Sequence, residues 1–265
     1  MKTLVLGFDG ASPKLIDKWV DQLPLFKTFK KQGVFGQTIP PTPAQTPVAW
    51  ASFMTGMNPG NHGVFSFAMR KKGTYERMII RPEMLTSRTL PQIMNEAKRR
   101  VAMINIPMTD AAEIIGFTIP GFLSRSEGIP YPNRLREKVR RGFKTERILG
   151  DVEAETLESV QTDPDLFFEK VSEIMDEMAD ISLYLLQEEE WDFFMVVFMG
   201  LDRVQHFFWK YVDPDHPAYE DTKYSSLVKD YYFRIDKIAD DFMRCVDEDT
   251  VVMVVSDHGF CPVHT

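Results

Sequence analysis

Acidic and imidazole side chains stand where apolar runs stop. Thr3-Leu4-Val5-Leu6-Gly7-Phe8 is followed by Asp9-Gly10, Phe193–Met199 by Gly200-Leu201-Asp202, and Val251–Val255 by Ser256-Asp257-His258-Gly259. Short runs of this kind, apolar on both faces, read as buried strands of a parallel sheet. In an open α/β sheet, ligands sit outside the carboxyl ends of the strands. The pattern therefore brings Asp9, Asp202, Asp257 and His258 to one rim. His206 follows Asp202 by four residues, and on a helix that spacing points both side chains the same way. Carboxylates massed at one rim repel and raise one another's pKa values. A bound divalent ion removes that penalty. Carboxylates mixed with imidazole suit zinc or manganese, whereas calcium would want oxygen ligands almost alone.

The elements that must position these residues follow from local signals. Ser12-Pro13 opens a helix to about Gln22, with Ser as cap and Pro at the first helical position. A second helix covers Leu25–Gln32 and stops at Gly33, and Val34–Ile39 is the next strand candidate. The proline-rich stretch Pro40–Pro47 cannot be a regular element, because proline removes a donor and restricts its neighbour. It is a rigid loop that delivers Thr46 to the head of a helix over about Val48–Thr55, ended by Gly56. On local grounds alone the rival reading of Thr46 is an N-cap before Pro47.

Asn58–Gly63 is a turn-rich loop, and Val64–Arg81 reads as a β-hairpin with Arg70, Lys71 and Lys72 as a solvated tip. Leu90–Arg100 is an amphipathic helix and Val101–Asn105 a further buried strand. From Phe117 to about Pro164 hydrophobic periodicity fades, and the segment reads as an excursion out of the core, a cap insertion. Leu166–Gln187 and Tyr224–Val246 are the two long helices. Helices alternating with fully apolar strands give an α/β architecture with a mostly parallel sheet. Residues 1–265 read as one such core carrying the insertion at about 117–164.

Composition bounds the partners. Lys+Arg number 31 against 39 Asp+Glu, a net charge of −8. An acidic chain gains no general attraction to nucleic acid polymers or anionic membranes. This charge balance leaves room for a local basic pocket that takes a phosphate. Two cysteines, Cys245 and Cys261, make neither a disulfide framework nor a thiolate zinc site. No apolar run approaches the ~18 residues of a membrane span. A cytoplasmic location is the expectation.

Four segments, taken in order, carry a resemblance. They are Gly7-Phe8-Asp9-Gly10; Thr46-Pro47-Val48-Ala49-Trp50-Ala51-Ser52-Phe53-Met54-Thr55-Gly56 with Asn58-Pro59-Gly60-Asn61-His62-Gly63; Leu201-Asp202-Arg203-Val204-Gln205-His206; and Ser256-Asp257-His258-Gly259-Phe260. Together they resemble the type I phosphodiesterase/nucleotide pyrophosphatase branch of the alkaline phosphatase superfamily. The resemblance implies a three-layer α/β/α sandwich with a mostly parallel central sheet and a small inserted cap. It implies two divalent metal ions, zinc or manganese. Asp9, Thr46, Asp257 and His258 would hold one, Asp202 and His206 the other. Thr46 would be the nucleophile, forming a phosphothreonine that water then hydrolyses. A free threonine hydroxyl is a poor nucleophile, and metal coordination activates it. A helix head adds backbone N–H groups for the phosphate.

Two departures from the family pattern stand out. The family completes its second metal site with a histidine well downstream and continues its core with further sheet and helix. Here the sequence runs to Thr265, and His264, six residues past His258, is the one further candidate ligand. The C-terminal part of the family core is therefore expected to be missing, with the second site incomplete. The family often places an amide side chain just after the nucleophile. Here Pro47-Val48-Ala49-Trp50 follows Thr46, which leaves backbone groups, the metals or Asn105 to bind phosphate. His62 is a candidate for substrate contact or for a structural role in its turn.

The leading function is metal-dependent hydrolysis of phosphodiester or pyrophosphate bonds, in nucleotides or related small substrates. A phosphomonoesterase or phosphate-transferring mutase of the same superfamily is the enzymatic alternative. A catalytically incomplete, metal-stabilised binding or assembly module is the other. A sulfatase is disfavoured, since no Cys-x-Pro-x-Arg or Ser-x-Pro-x-Arg segment occurs. An incomplete sheet leaves an open edge, so self-association is expected.

Overall fold

The computed structural model describes residues 1–110, 114–124, 130–142 and 163–262. Its strands are β1 (Lys2–Phe8), β2 (Ala68–Arg70), β3 (Arg77–Ile79), β4 (Val101–Ile106), β5 (Gly116–Pro120), β6 (Phe193–Phe198) and β7 (Thr250–Val255). The helices are α1 (Pro13–Trp19), α2 (Pro24–Gln32), α3 (Thr46–Thr55), α4 (Pro59–His62), α5 (Leu90–Glu96), α6 (Asn133–Gly142), α7 (Pro164–Glu188), α8 (Gly200–Val212) and α9 (Leu227–Met243).

Strand periodicity builds the layers. Along β1, Leu4, Leu6 and Phe8 point to one face of the sheet, and Val5 points to the other. The first face is covered by α7, α8 and α9, through residues such as Val171, Leu185, Val204, Phe208, Tyr231 and Phe242. The second is covered by Trp50 and Met54 of α3, with Leu90 and Met94 of α5 against them. A sheet apolar on both sides can hold its place only between two helical layers, and the result is a three-layer α/β/α sandwich.

The sheet has five strands in the order β5-β4-β6-β1-β7, and every pairing is parallel. Register aligns the three acidic strand ends. Phe8 lies opposite Phe198, and Gly7 lies opposite both Val197 and Val255. Asp9 and Met199 therefore leave the sheet side by side, and Ser256 leaves it one residue earlier, beside Phe8. The Asp9 N–H still donates to the Phe198 carbonyl at 3.0 Å, so the turn after β1 is anchored to the end of β6.

Several sequence expectations are revised. Val34–Ile39 is not a strand. No described strand pairs with it, and Val34 and Ile39 stay in solvent, so its β-branched composition has no ladder to join. The expected cap began at Phe117, but β5 occupies Gly116–Pro120 and buries Phe117 and Ile119 in the main core. Leu135 and Val139 of α6 pack on the same core. Residues 125–129 and 143–162 of that span lie outside the described residues. The helix after Ser12 ends at Trp19 and tightens into a 3₁₀ turn over Val20–Gln22. The hairpin is present as β2 and β3, paired Ala68 to Ile79 and Arg70 to Arg77.

Candidate metal centre

The turn after β1 places the first ligand. Asp9 is fully buried, a location a carboxylate occupies only with partners. Its Oδ2 accepts the Trp50 indole N–H at 2.7 Å, and its Oδ1 accepts the Thr46 hydroxyl at 3.3 Å. Gly7 makes the Trp50 contact possible: a Cβ there would fall 2.7 Å from the Trp50 ring. Gly10 follows in the left-handed region, φ +73°, and its N–H donates to Asp257 Oδ1 at 3.2 Å.

Thr46 opens α3 and is buried. Its Oγ1 lies 3.3 Å from His258 Nε2. His258 Nε2 is also 3.5 Å from Asp9 Oδ1 and 3.4 Å from Asp257 Oδ2. The other ring nitrogen, Nδ1, is 3.0 Å from the Gly259 carbonyl. A carbonyl only accepts, so Nδ1 donates to it and Nε2 is the nitrogen that faces the acidic cluster. A carbonyl behind the ring is a common way to orient a metal-binding imidazole.

Asp202 sits in the first turn of α8, where the helix dipole favours negative charge. One ligand atom each from Asp9, Asp202 and His258 lies within 4.8 Å of the others. Asp202 Oδ1 and Asp257 Oδ2 are buried without a hydrogen-bond partner. Orphaned buried carboxylate oxygens demand compensation. Burial and mutual repulsion both disfavour the charged form of these carboxylates. Burial, followed by the neighbouring Asp257 and Asp202, raises the Asp9 pKa well above the usual carboxylate range. Burial likewise raises Asp202, and it pushes Asp257 up to about 6. Two-carboxylate-plus-imidazole donors fit a zinc or manganese ion, and a cation would supply the missing partner for both orphaned oxygens.

His206 is brought to Asp202 as its spacing predicts, with Nε2 3.5 Å from Asp202 Oδ2. Its side chain is 69% exposed, and its ring stands edge-on to Phe260 with centroids 4.8 Å apart. Asp202 thus stands between the inner cluster and His206. His264 lies outside the described residues.

The two remaining sequence candidates have other roles. His62 is completely buried. Its Nδ1 accepts the Val64 N–H at 3.2 Å, so Nε2 carries the proton and donates to Ser52 Oγ at 2.9 Å. With both nitrogens engaged inside the protein, His62 pins the turn after α4 to α3. Asn105 sits at an irregularity of β4 with φ +57°. Its Nδ2 donates to the Val197 carbonyl at 2.8 Å, extending the β4–β6 ladder by a side chain where the backbone has turned away.

Sequence reading missed Trp50, Gln205 and Tyr232. Trp50 follows Thr46 by four residues on an almost wholly apolar helix, and a buried indole N–H needs an acceptor. Gln205 falls on the inward stripe Leu201, Val204, Phe208 of α8, where an amide is out of place unless it is bonded. Both signals were present in the sequence as polar atoms at apolar positions.

Solved structures share this fold. Phosphonoacetate hydrolase from Sinorhizobium meliloti 1021, in complex with phosphonoformate, aligns with TM-score 0.61 at 18% identity over 98% of this chain and 56% of its own. Murine ectonucleotide pyrophosphatase/phosphodiesterase 5, an inactive variant in complex with AMP, aligns with TM-score 0.61 at 15% identity, covering 98% of this chain and 57% of its own. A 2-O GAG sulfatase aligns with TM-score 0.54 at 12% identity, covering 97% and 58%. The chain therefore spans a little over half the length of these structures. No curated protein matches it in sequence. Among the described residues no helix is long and apolar enough to cross a membrane. Residues 3–265 match the family described as Type I phosphodiesterase / nucleotide pyrophosphatase, and the chain belongs to that family.

Proposed function

We propose that this chain carries the catalytic rim of a metal-dependent hydrolase of phosphodiester or pyrophosphate bonds, with Thr46 as nucleophile. One observation carries the reading: the Thr46 hydroxyl lies 3.3 Å from both Asp9 Oδ1 and His258 Nε2, inside the cluster of candidate ligands. Membership of the family supports it. So do the ligands of the two related structures, phosphonoformate and AMP, each with charged oxygens on tetrahedral phosphorus.

The residues divide the work. Asp9, Asp257 and His258 would hold one divalent ion beside Thr46, and Asp202 with His206 a second, zinc or manganese in each case. A cation there supplies positive charge that lowers the hydroxyl's pKa and screens the phosphoryl oxygens. The Thr46 hydroxyl is oriented by its hydrogen bond to Asp9 Oδ1, which leaves its lone pairs free for phosphorus. Trp50 holds the opposite oxygen of Asp9 and so fixes the carboxylate plane. At the head of α3, backbone N–H groups face an incoming phosphate. Thr46 Oγ would pass its proton towards Asp9 Oδ1 and form the new bond to phosphorus, while the alcohol or phosphate leaving group departs with the bonding pair and takes up a proton; water then breaks the Oγ–phosphorus bond of the phosphothreonine, releasing phosphate and restoring the hydroxyl.

The test is hydrolysis of bis(p-nitrophenyl) phosphate, with zinc or manganese, by the wild type and Thr46→Ala. The account expects a loss of at least ~10³-fold, the scale seen when a covalent nucleophile is removed. Equal rates would reject Thr46. Relative rates on mono- and diesters separate this reading from a monoesterase or mutase. The exposure of His206, with Asp202 as its neighbouring candidate ligand, favours as second reading a metal-stabilised binding or assembly module. That reading gains if the wild type binds a cation yet cleaves neither ester.

A further inference from the structure

The candidate ligands ride on three carriers separated in sequence. The β1–α1 turn carries Asp9, α8 carries Asp202 and His206, and the residues after β7 carry Asp257 and His258. One buried chain of hydrogen bonds ties all three carriers to α9. The Tyr232 hydroxyl accepts the Ser12 N–H at 2.8 Å and donates to Gln205 Oε1 at 3.3 Å. Gln205 Nε2 donates to the Gly10 carbonyl at 2.8 Å. The Gly10 N–H donates in turn to Asp257 Oδ1.

Gln205 and Tyr232 are both 0% exposed. A buried amide and a buried phenol cost stability unless bonded, and apolar groups of the same shape would pack here at least as well. Neither can serve as a ligand while its polar atoms are engaged in the chain. The contacts leave no slack between the carriers. A Cβ on Gly10 would meet Gln205 Nε2 at 3.0 Å and Asp202 Oδ1 at 3.1 Å. A Cβ on Gly200, at the start of α8, would fall 2.1 Å from the hydroxyl of Tyr231, the neighbour of Tyr232. Helix α8 is thus seated on α9 at its first turn and bonded to the Asp9 turn through Gln205.

We propose that Gln205 and Tyr232 are positioning residues, which hold the Asp9, Asp202 and Asp257 carriers at cation-binding spacing before a cation arrives. The proposal rests on the reading of the rim as a metal centre. Without a cation the three carboxylates repel, and an unbraced rim would relax apart. The separation would then have to be closed again on binding, which weakens affinity. Groups that orient metal ligands from behind typically account for ~10–100-fold in metal affinity.

The experiment titrates Mn²⁺ and Zn²⁺ by calorimetry into chelator-stripped protein, and records the visible absorption of the Co²⁺ form. The proteins are the wild type, Gln205→Met, Tyr232→Phe and, as a control for general loss of core stability, Ile181→Val in α7. Gln205→Met keeps the side-chain length and removes both bonds. It is expected to weaken cation binding about tenfold or more and to shift the Co²⁺ bands. Tyr232→Phe removes one oxygen and is expected to weaken binding by less than Gln205→Met. Ile181→Val is expected to bind as the wild type does. Wild-type affinity and spectra in folded Gln205→Met and Tyr232→Phe would overturn the proposal. If Gln205→Met does not fold, Tyr232→Phe decides alone. A wild type that binds no cation defeats the metal-centre reading itself, a result visible before any variant is compared.

Discussion

Asp202 faces two neighbourhoods that differ in every physical respect. On its inner side lie Asp9 and Thr46, both buried, with the half-buried Asp257 and His258, bonded to one another or to Trp50 and Gly10. On its outer side lies His206, exposed and steadied by the edge of Phe260. The inner side carries the strain of buried like charges, and a cation there relieves burial and repulsion together. The outer side carries neither, so a cation gains only the ligand bonds themselves. Residues chosen by the same sequence logic therefore differ in how strongly the fold has prepared them.

The largest expected effect tests that difference directly. Asp9→Asn is expected to weaken cation binding more than about a hundredfold by calorimetry, beyond the range found for groups behind the ligands. His206→Ala is expected to weaken the tighter binding event less than about tenfold. Equal losses would erase the distinction between the two sides.

The pH dependence of the metal-free protein sharpens it. Asp257 is raised from 3.8 to about 6 by burial, so the folded state holds its proton more tightly than the unfolded chain. Stability therefore falls as pH rises across that interval and stays lower above it. Asp9 and Asp202, raised in the same direction, add to the fall. The melting temperature of chelator-treated protein should drop between pH 4 and pH 7, as scanned by calorimetry, and zinc or manganese should restore it at pH 7. A melting temperature that climbs steadily over that range would show that the inner carboxylates are not strained.

His62 supplies a contrast of the opposite kind. His62→Leu removes two internal hydrogen bonds and leaves the Val64 N–H unpaired, a cost of about 1–3 kcal/mol. Its melting temperature should fall while cation affinity stays at the wild-type value. The smallest effect concerns the sheet edge. Among the described residues β7 is an edge strand with Val251 and Met253 exposed, and self-association is expected there. Light scattering at high concentration should show association that Val251→Lys reduces; a clean monomer in the wild type would contradict it.

Much of this was legible in the sequence because strands buried on both faces are hard to disguise. The apolar runs ending at Phe8, Phe198 and Val255 are β1, β6 and β7, and parallel register alone brings their following residues to one rim. The hairpin and the longest helix were also readable from period. Val34–Ile39 misled because composition proposes a strand but only a neighbour makes one. Phe117 misled in the other sense: β5 is short, and Gly and Pro at its ends masked it. For His62, between Asn61 and Gly63, the sequence leaves substrate contact and a structural turn role both open, and its two bonding partners favour the structural role. Gln205 shows in the sequence only as an amide on an apolar stripe, and nothing local names its partner Gly10, which lies far away in the chain.

The central claim is that the inner side of Asp202 is built to hold a divalent cation beside Thr46. Anomalous diffraction from crystals grown with Mn²⁺ or Zn²⁺ measures it most directly. The account predicts a peak at coordination distance, about 2.0–2.2 Å, from His258 Nε2 and the Asp9 carboxylate. A metal peak bound elsewhere, with Asp9 and His258 unligated at saturating metal, would contradict it.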